Sequence, residues 1–205
     1  MTTIFKKALV LFALVAVALV GAVAVAPAEA QAATGSFTIQ SKNGKTVTAY
    51  QMFTVENPVV ENGKVTSATY TLNTAWEGFF RGKLSTSDTG AALSEKAYSY
   101  VKDLVDGNKG ATLVTFAKEA ADYAKTSSGI TAAGTANAST TADNGYYKAT
   151  FTGLEYGYYI FAPQGGSTSA MRGNDAMLYN VVSATSDPVE PKSVYPGVTK
   201  TVENG

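Results

Sequence analysis

The sequence predicts a mainly β domain, a sandwich of strands carrying a two-helix insertion, behind a secretory leader. Three observations carry this reading. The first thirty or so residues place a basic start, an apolar run and small residues in the order of a signal peptide. Runs rich in β-branched and aromatic residues, several bounded by Asn-Gly turns, occupy both ends of the remaining chain. Between them the hydrophobic period lengthens from that of a strand to that of a helix. Strands, then helices, then strands argue against an alternating βαβ fold with a parallel sheet.

The leader comes first. Lys6 and Lys7 form its positive start, the apolar stretch runs from Ala8 to Val25, and Pro27 breaks the helix before Ala28, Ala30 and Ala32. Cleavage fits after Ala30, reading Ala28-Glu29-Ala30, or after Ala32, reading Ala30-Gln31-Ala32. The alternative is an uncleaved anchor, since the run approaches the ~18–20 residues that span a bilayer. Its Ala- and Gly-rich composition and the lack of a basic stop-transfer cluster favour cleavage. We therefore take residues 1–32 as signal peptide, 33–187 as one module and 188–205 as a linker leading into the start of a truncated second module.

About 170 residues remain after cleavage, enough for one domain with a real core. The whole chain balances 16 basic against 16 acidic residues, which gives no electrostatic footprint for nucleic acid. It has no cysteine, so an exported domain must draw its stability from its core or from another covalent device. It has no histidine either, which removes the Ser-His-Asp triad, the Cys-His pair and the HExxH zinc site. The chain reads as a non-enzyme that needs no cofactor or metal.

In the mature part, Ser36 to Ser41 alternates, Asn43-Gly44 signals a hairpin, and Thr46 to Val55 is strand-like. A second turn at Glu61-Asn62-Gly63 leads to a strand over Val65 to Leu72. After Ser94, read as an N-cap, Ala97, Val101, Leu104 and Val105 mark one amphipathic helix that Gly107 stops. After Thr112, Leu113, Phe116, Ala117, Ala120 and Ala124 mark a second, ending before Gly129. Ile130 to Asn144 reads as a loop, and its sequon Asn137-Ala138-Ser139 as chance. Strands resume at Tyr146–Thr152, Tyr158–Ala162 and Ala176–Ser183; a tail with Pro188, Pro191 and Pro196 precedes a last β-like run, Val198–Val202. Tyr158, Tyr159, Ile160 and Phe161 are apolar on both faces, which marks a central strand. The 12 tyrosines and nine phenylalanines are read mainly as strand and core residues, although exposed Tyr rings could stack on sugars.

The segment Phe151-Thr152-Gly153-Leu154-Glu155-Tyr156-Gly157-Tyr158-Tyr159 resembles the F-x-G-L-x-x-G-x-Y strand-turn-strand of immunoglobulin-like modules in Gram-positive pilins and collagen-adhesin B-type repeats. Ala49-Tyr50-Gln51-Met52-Phe53 is similar to the A-Y-Q-I-F strand of those pilins. Trp76, Phe79 and Phe80 are similar to an aromatic cluster they carry before the helices, and the tail from Glu190 to Val202 to the join between their first and second modules. The resemblance implies an immunoglobulin-like sandwich and the N-terminal module of a sortase-assembled fimbrial shaft subunit. Its partners would be a pilin-specific sortase and other pilin subunits, its place the cell surface, cell-wall linked in the full-length form.

In that family a lysine after Val-x-Pro accepts the next subunit. Val189, Pro191 and Lys192 fit, which makes Lys192 the sortase-acceptor candidate; the other reading is an ordinary linker lysine. Ser183, Asp187 and Glu190 stand where the family prefers Trp, Val and Tyr, and a rival register on Tyr195-Pro196 puts Gly197 in the lysine's place. Lys200, in Lys200-Thr201-Val202, matches the isopeptide lysine that opens a following module. No isopeptide trio is evident between residues 36 and 183; where related repeats carry Glu, this chain has Ala162 and Pro163. The sequence contains no LPxTG, no second hydrophobic segment and no basic tail, so a fragment is expected, the alternative being a diverged secreted protein. The alternative function is a surface adhesin module that binds a host glycan or matrix protein; an exported enzyme is the weakest class.

Overall fold

The computed structural model describes residues 34–41, 44–107, 110–164, 176–183 and 188–189. Along these residues run β1 (Thr34–Ser41), β2 (Val47–Glu61), β3 (Lys64–Leu72), a 3-10 turn (Thr74–Trp76), α1 (Glu77–Leu84), α2 (Gly90–Asp106) and α3 (Gly110–Thr126). Then follow β4 (Gly134–Ala136), β5 (Tyr147–Glu155), β6 (Gly157–Pro163) and β7 (Met177–Val181). The chain is mainly β with antiparallel sheets, as expected. Among the described residues no helix is long and apolar enough to cross a membrane. The leader, with Ala30 and Ala32, lies outside them, as does the run Val198–Val202.

β1 pairs with β5 in a two-stranded sheet. The larger sheet has the order β3-β2-β6-β7, and β4 pairs with the first residues of β2. β6 is its central strand, with all seven residues buried, as the run of four apolar residues predicted. Alternation divides it. Tyr158, Ile160 and Ala162 enter a core beneath the helices, while Tyr159 and Phe161 enter a core shared with β1 and β5. β2 divides likewise until a register irregularity between Gln51 and Phe53, beyond which Met52 and Phe53 both turn to the helical core.

The Asn62-Gly63 turn is as predicted. Both residues have positive φ, 52° and 73°, and they link β2 to β3 as a two-residue hairpin loop. Asn43-Gly44 is a correction: β1 and β2 do not form a hairpin but lie in different sheets, and β1 takes a partner more than a hundred residues away. An unforeseen turn stands at Asn144-Gly145, where φ values of 51° and 81° let Asp143 and Tyr146 exchange backbone hydrogen bonds of 2.7 and 3.0 Å. The predicted loop before it contains the short strand β4.

The helical insertion also differs. Three helices occur among the described residues, because Glu77–Leu84 coils into α1 and buries Phe80. Its end is set by Ser85 in the left-handed region, φ 49°. α2 begins at Gly90 after Thr89, one turn before Ser94, so Ser94 is not the N-cap. Instead Ser94 is buried and its Oγ accepts the Leu72 backbone N–H at 2.8 Å. The predicted stripes hold in part: Ala97, Val101 and Leu104 of α2 and Phe116, Ala117, Ala120 and Ala124 of α3 are buried, Leu113 is partly buried, and Val105 is a correction, exposed at the surface beside the buried Leu104.

Candidate functional site

Of the residues singled out for function, Lys192, Lys200, Ala30 and Ala32 all lie outside the described residues. Val189, the first residue of the pilin-like Val-x-Pro-Lys pattern, lies within them. It continues the two-stranded sheet as a parallel neighbour of β1, opposite Ile39. Its N–H donates to the Thr38 carbonyl at 2.9 Å, and its carbonyl accepts the Gln40 N–H at 3.0 Å. Proline at 188 has no N–H to donate, so pairing here starts at Val189. The linker is thereby tied to β1 three residues before Lys192.

A polar cavity of about 420 Å³ opens where the two sheets meet. Gln51 of β2, Asn73 and Thr131 line one part, Glu155 and Tyr159 another. The local chain path creates it. β5 pairs with β1 up to Glu155, and after Tyr156 the chain joins the larger sheet as β6. Gly157 sits so close to β2 that a Cβ there would lie 2.1 Å from the Phe53 carbonyl oxygen, so only glycine fits. Tyr159 donates its hydroxyl to the Glu155 carbonyl at 2.8 Å, and Trp76 Nε1 donates to the Gln51 carbonyl at 2.8 Å. Gln51 Nε2 is buried without a hydrogen-bond partner, a state that costs about 1–3 kcal/mol unless an acceptor fills it. The sequence reading passed over Gln51. The signal available was a lone amide between the large side chains of Tyr50 and Met52.

A second concavity, about 590 Å³, lies between β3 and the first turns of α2. Tyr70 and Tyr98 stack beside it, ring centroids 4.9 Å apart and planes 10° apart. Asn180 Nδ2 donates to the Tyr70 hydroxyl at 2.7 Å. Burial pushes the Tyr158 hydroxyl up to about 12, with the neighbouring Tyr70 and Tyr98 adding to the effect. Burial likewise raises Tyr70, an effect partly offset by the Asn180 hydrogen bond, and raises Tyr159. These shifts hold the tyrosines neutral and move them away from acid–base work near neutral pH.

Elsewhere several charged groups pair at the surface. Lys96 bonds Asp88 and holds its carboxyl below the usual range; Asp106 raises Lys102 in the same way. Among the described residues no three Asp, Glu, His or Cys side chains come together to hold a metal ion. The geometry offers concave polar and tyrosine-lined surfaces and an anchored linker. Compared with known proteins, the chain matches no family model, no curated protein and no solved structure.

Proposed function

We propose that this chain is an exported structural subunit of a covalently assembled Gram-positive fimbria, its N-terminal immunoglobulin-like module joined to its neighbour through Lys192. Residues 1–32 are its signal peptide, cut after Ala30 or Ala32. The observation that carries the reading is the anchored linker. Val189, three residues before Lys192 in the chain, is hydrogen-bonded to β1. A lysine that joins subunits must meet a docked enzyme in a reproducible position and afterwards transmit load. A strand-tied linker serves both ends.

The chemistry asked of Lys192 is nucleophilic. Its neutral ε-amine attacks the carbonyl carbon of a thioester between the sortase cysteine and the C-terminal threonine of another subunit. The C–N bond forms, the C–S bond breaks, and the departing thiolate is balanced by the proton the amine loses. A free lysine has a pKa of ~10.4, so the sortase must desolvate the amine or take its proton. The pilin is a substrate here. The test is to incubate the longer native subunit with its pilin sortase and map the crosslinked peptides by mass spectrometry. Ladders joined through Lys192 are expected; ladders that persist in Lys192→Ala would sink the assignment.

The second reading, an adhesin module for a host glycan or matrix protein, has the polar cavity in its favour. Gln51, Asn73, Thr131 and Glu155 bring polar groups to its lining, the kind that hydroxyl-rich ligands use. Binding on a glycan array that is lost in Gln51→Leu would favour it.

A further inference from the structure

The outer edge of β3 is open over part of its length, and the strand register says where. Asn73 donates its N–H to Met52 of β2 at 3.0 Å, and Leu72 donates in the opposite direction, to Ser94 of α2. Backbone groups alternate along a strand, so Thr69 and Thr71 face β2 while Ala68 and Tyr70 face away from it. The two ends of this edge are closed. Ser94 takes the Leu72 N–H, and at the other end the Val65 N–H donates to the Val182 carbonyl at 2.8 Å. Register irregularities near Val59 and Val60 further disturb that end. Between these closures no hydrogen bond within the described residues reaches the outward N–H and C=O groups of Ala68 and Tyr70. Natural sheets usually blunt such an edge with charge, proline or a cover. Here it borders the 590 Å³ groove, walled on its far side by Ala91, Ser94, Glu95 and Tyr98.

We propose that this groove binds an extended peptide segment of another protein by strand addition to Ala68–Tyr70. The segment carries apolar or β-branched side chains at alternate positions and a lysine or arginine that reaches Glu95. Unmatched backbone donors and acceptors select an extended chain, because only a strand presents its own at the same spacing. The tyrosines and Ala91 select alternate apolar side chains. The charge selects the base. Glu77, the other carboxylate of the groove, is engaged by Arg81 and by the Gly90 N–H, whereas Glu95 has no ion-pair partner among the described residues. This goes beyond the subunit reading and does not depend on Lys192.

The experiment uses the full chain, isotope-labelled, and the capped pentapeptide Thr-Val-Lys-Val-Thr as probe. Saturable binding is expected, with hydrogen exchange of the Ala68 and Tyr70 amides slowed at least tenfold while those of Thr69 and Thr71 stay as they are. Ala68→Pro removes an outward N–H only, and it abolishes binding. Should that variant fail to fold, the same peptide N-methylated on alternate residues takes its place and does not bind. Glu95→Gln weakens affinity about fivefold, the effect of one exposed ion pair, and flattens its salt dependence. The proposal is overturned if exchange at Ala68 and Tyr70 is unchanged at millimolar peptide, or if the N-methylated peptide binds as well as the parent.

Discussion

The two faces of the larger sheet are covered in different ways, although β2 and β6 feed both. One face carries helices: Met52, Phe53, Tyr158 and Ile160 meet Trp76, Phe80, Leu93, Val101 and Phe116, all but the sheet residues drawn from one continuous stretch of chain. The other face carries strands: Val47, Ala49, Tyr159 and Phe161 meet Phe37 and Ile39 of β1 and Phe151 and Leu154 of β5. The helical cover is local in sequence and rich in alanine. The strand cover joins segments over a hundred residues apart and is pinned by backbone ladders. A helix can slide inward over a void; a strand held by its ladder has less freedom to do so.

That difference predicts the largest effect. Phe161 is wholly buried against Phe37 and Phe151, at centroid distances of 4.6 and 5.2 Å. Phe80, equally buried, packs on Phe79 and Phe53 at 5.3 and 5.8 Å. Either truncation to alanine costs about 3–5 kcal/mol, with Phe161→Ala at the top of that range and Phe80→Ala at the bottom. Urea unfolding of the two variants checks it; equal losses would remove the contrast between the faces.

Next in size is Gly157→Ala, which acts where the chain hands over from one sheet to the other. A Cβ 2.1 Å from the Phe53 carbonyl forces β2 and β6 apart, at φ 153° besides, and about 1–3 kcal/mol is the overpacking cost to expect. Loss of cooperativity in thermal unfolding would show the faces separating. Ser94→Ala is confined to the helical face. It strands the buried Leu72 N–H, for a loss of about 1–3 kcal/mol that Ser94→Thr only partly shows.

How much of this was legible follows the same line. α2 and α3 were readable because their apolar spacing is local, whereas α1 was not, and β6 was readable because four apolar, mostly aromatic residues in a row suit a strand buried on both faces. Asn-Gly occurs at 43–44, 62–63, 144–145 and 204–205, and the dipeptide alone did not say which copies close a hairpin. Asn62-Gly63 does, with β2 and β3 as expected; Gly44 instead turns the chain between sheets, and Phe37 and Ile39 of β1 are buried in the core shared with β5. Ser94 was misread because a serine at the head of an apolar stripe looks like a cap, and only tertiary contact reveals a strand N–H waiting above it. The cavity at Gln51 was unreadable for a related reason: its walls come from four separated segments. Lys192 and Lys200 were legible through motif resemblance alone, and both lie outside the described residues.

In alkali both faces weaken together. Tyr158 lies in the helical core and Tyr159 in the strand core, and burial raises both above the ordinary tyrosine value of 10.0. The folded state therefore keeps its phenolic protons longer than the unfolded chain. The stability this supplies is complete below pH 10 and is lost as pH rises through about 12, the Tyr158 value. Denaturation midpoints, followed with tyrosinate absorbance, should fall across that window. Tyr158→Phe should reduce the slope without abolishing it, because Tyr159 titrates on the other face. A slope unchanged in Tyr158→Phe would mean the helical core already admits water.

The smallest effect comes from the surface of the helical face. Lys83 of α1 and Glu119 of α3 form an ion pair, with their side chains 27% and 47% exposed. It bridges two helices that the sequence reading had not both foreseen. If the helical layer were held by such ties, Glu119→Gln would loosen α1 measurably. Exposed pairs gain little Coulomb energy in water and lose side-chain entropy on forming, so the expected loss is about 0–1 kcal/mol and vanishes in high salt. Phe79, Phe80 and Phe116, whose rings meet at 5.3–6.2 Å, hold the same helices by burial instead. A loss above 1 kcal/mol in Glu119→Gln, persisting in salt, would shift the weight of the helical face from its aromatic contacts to its charges.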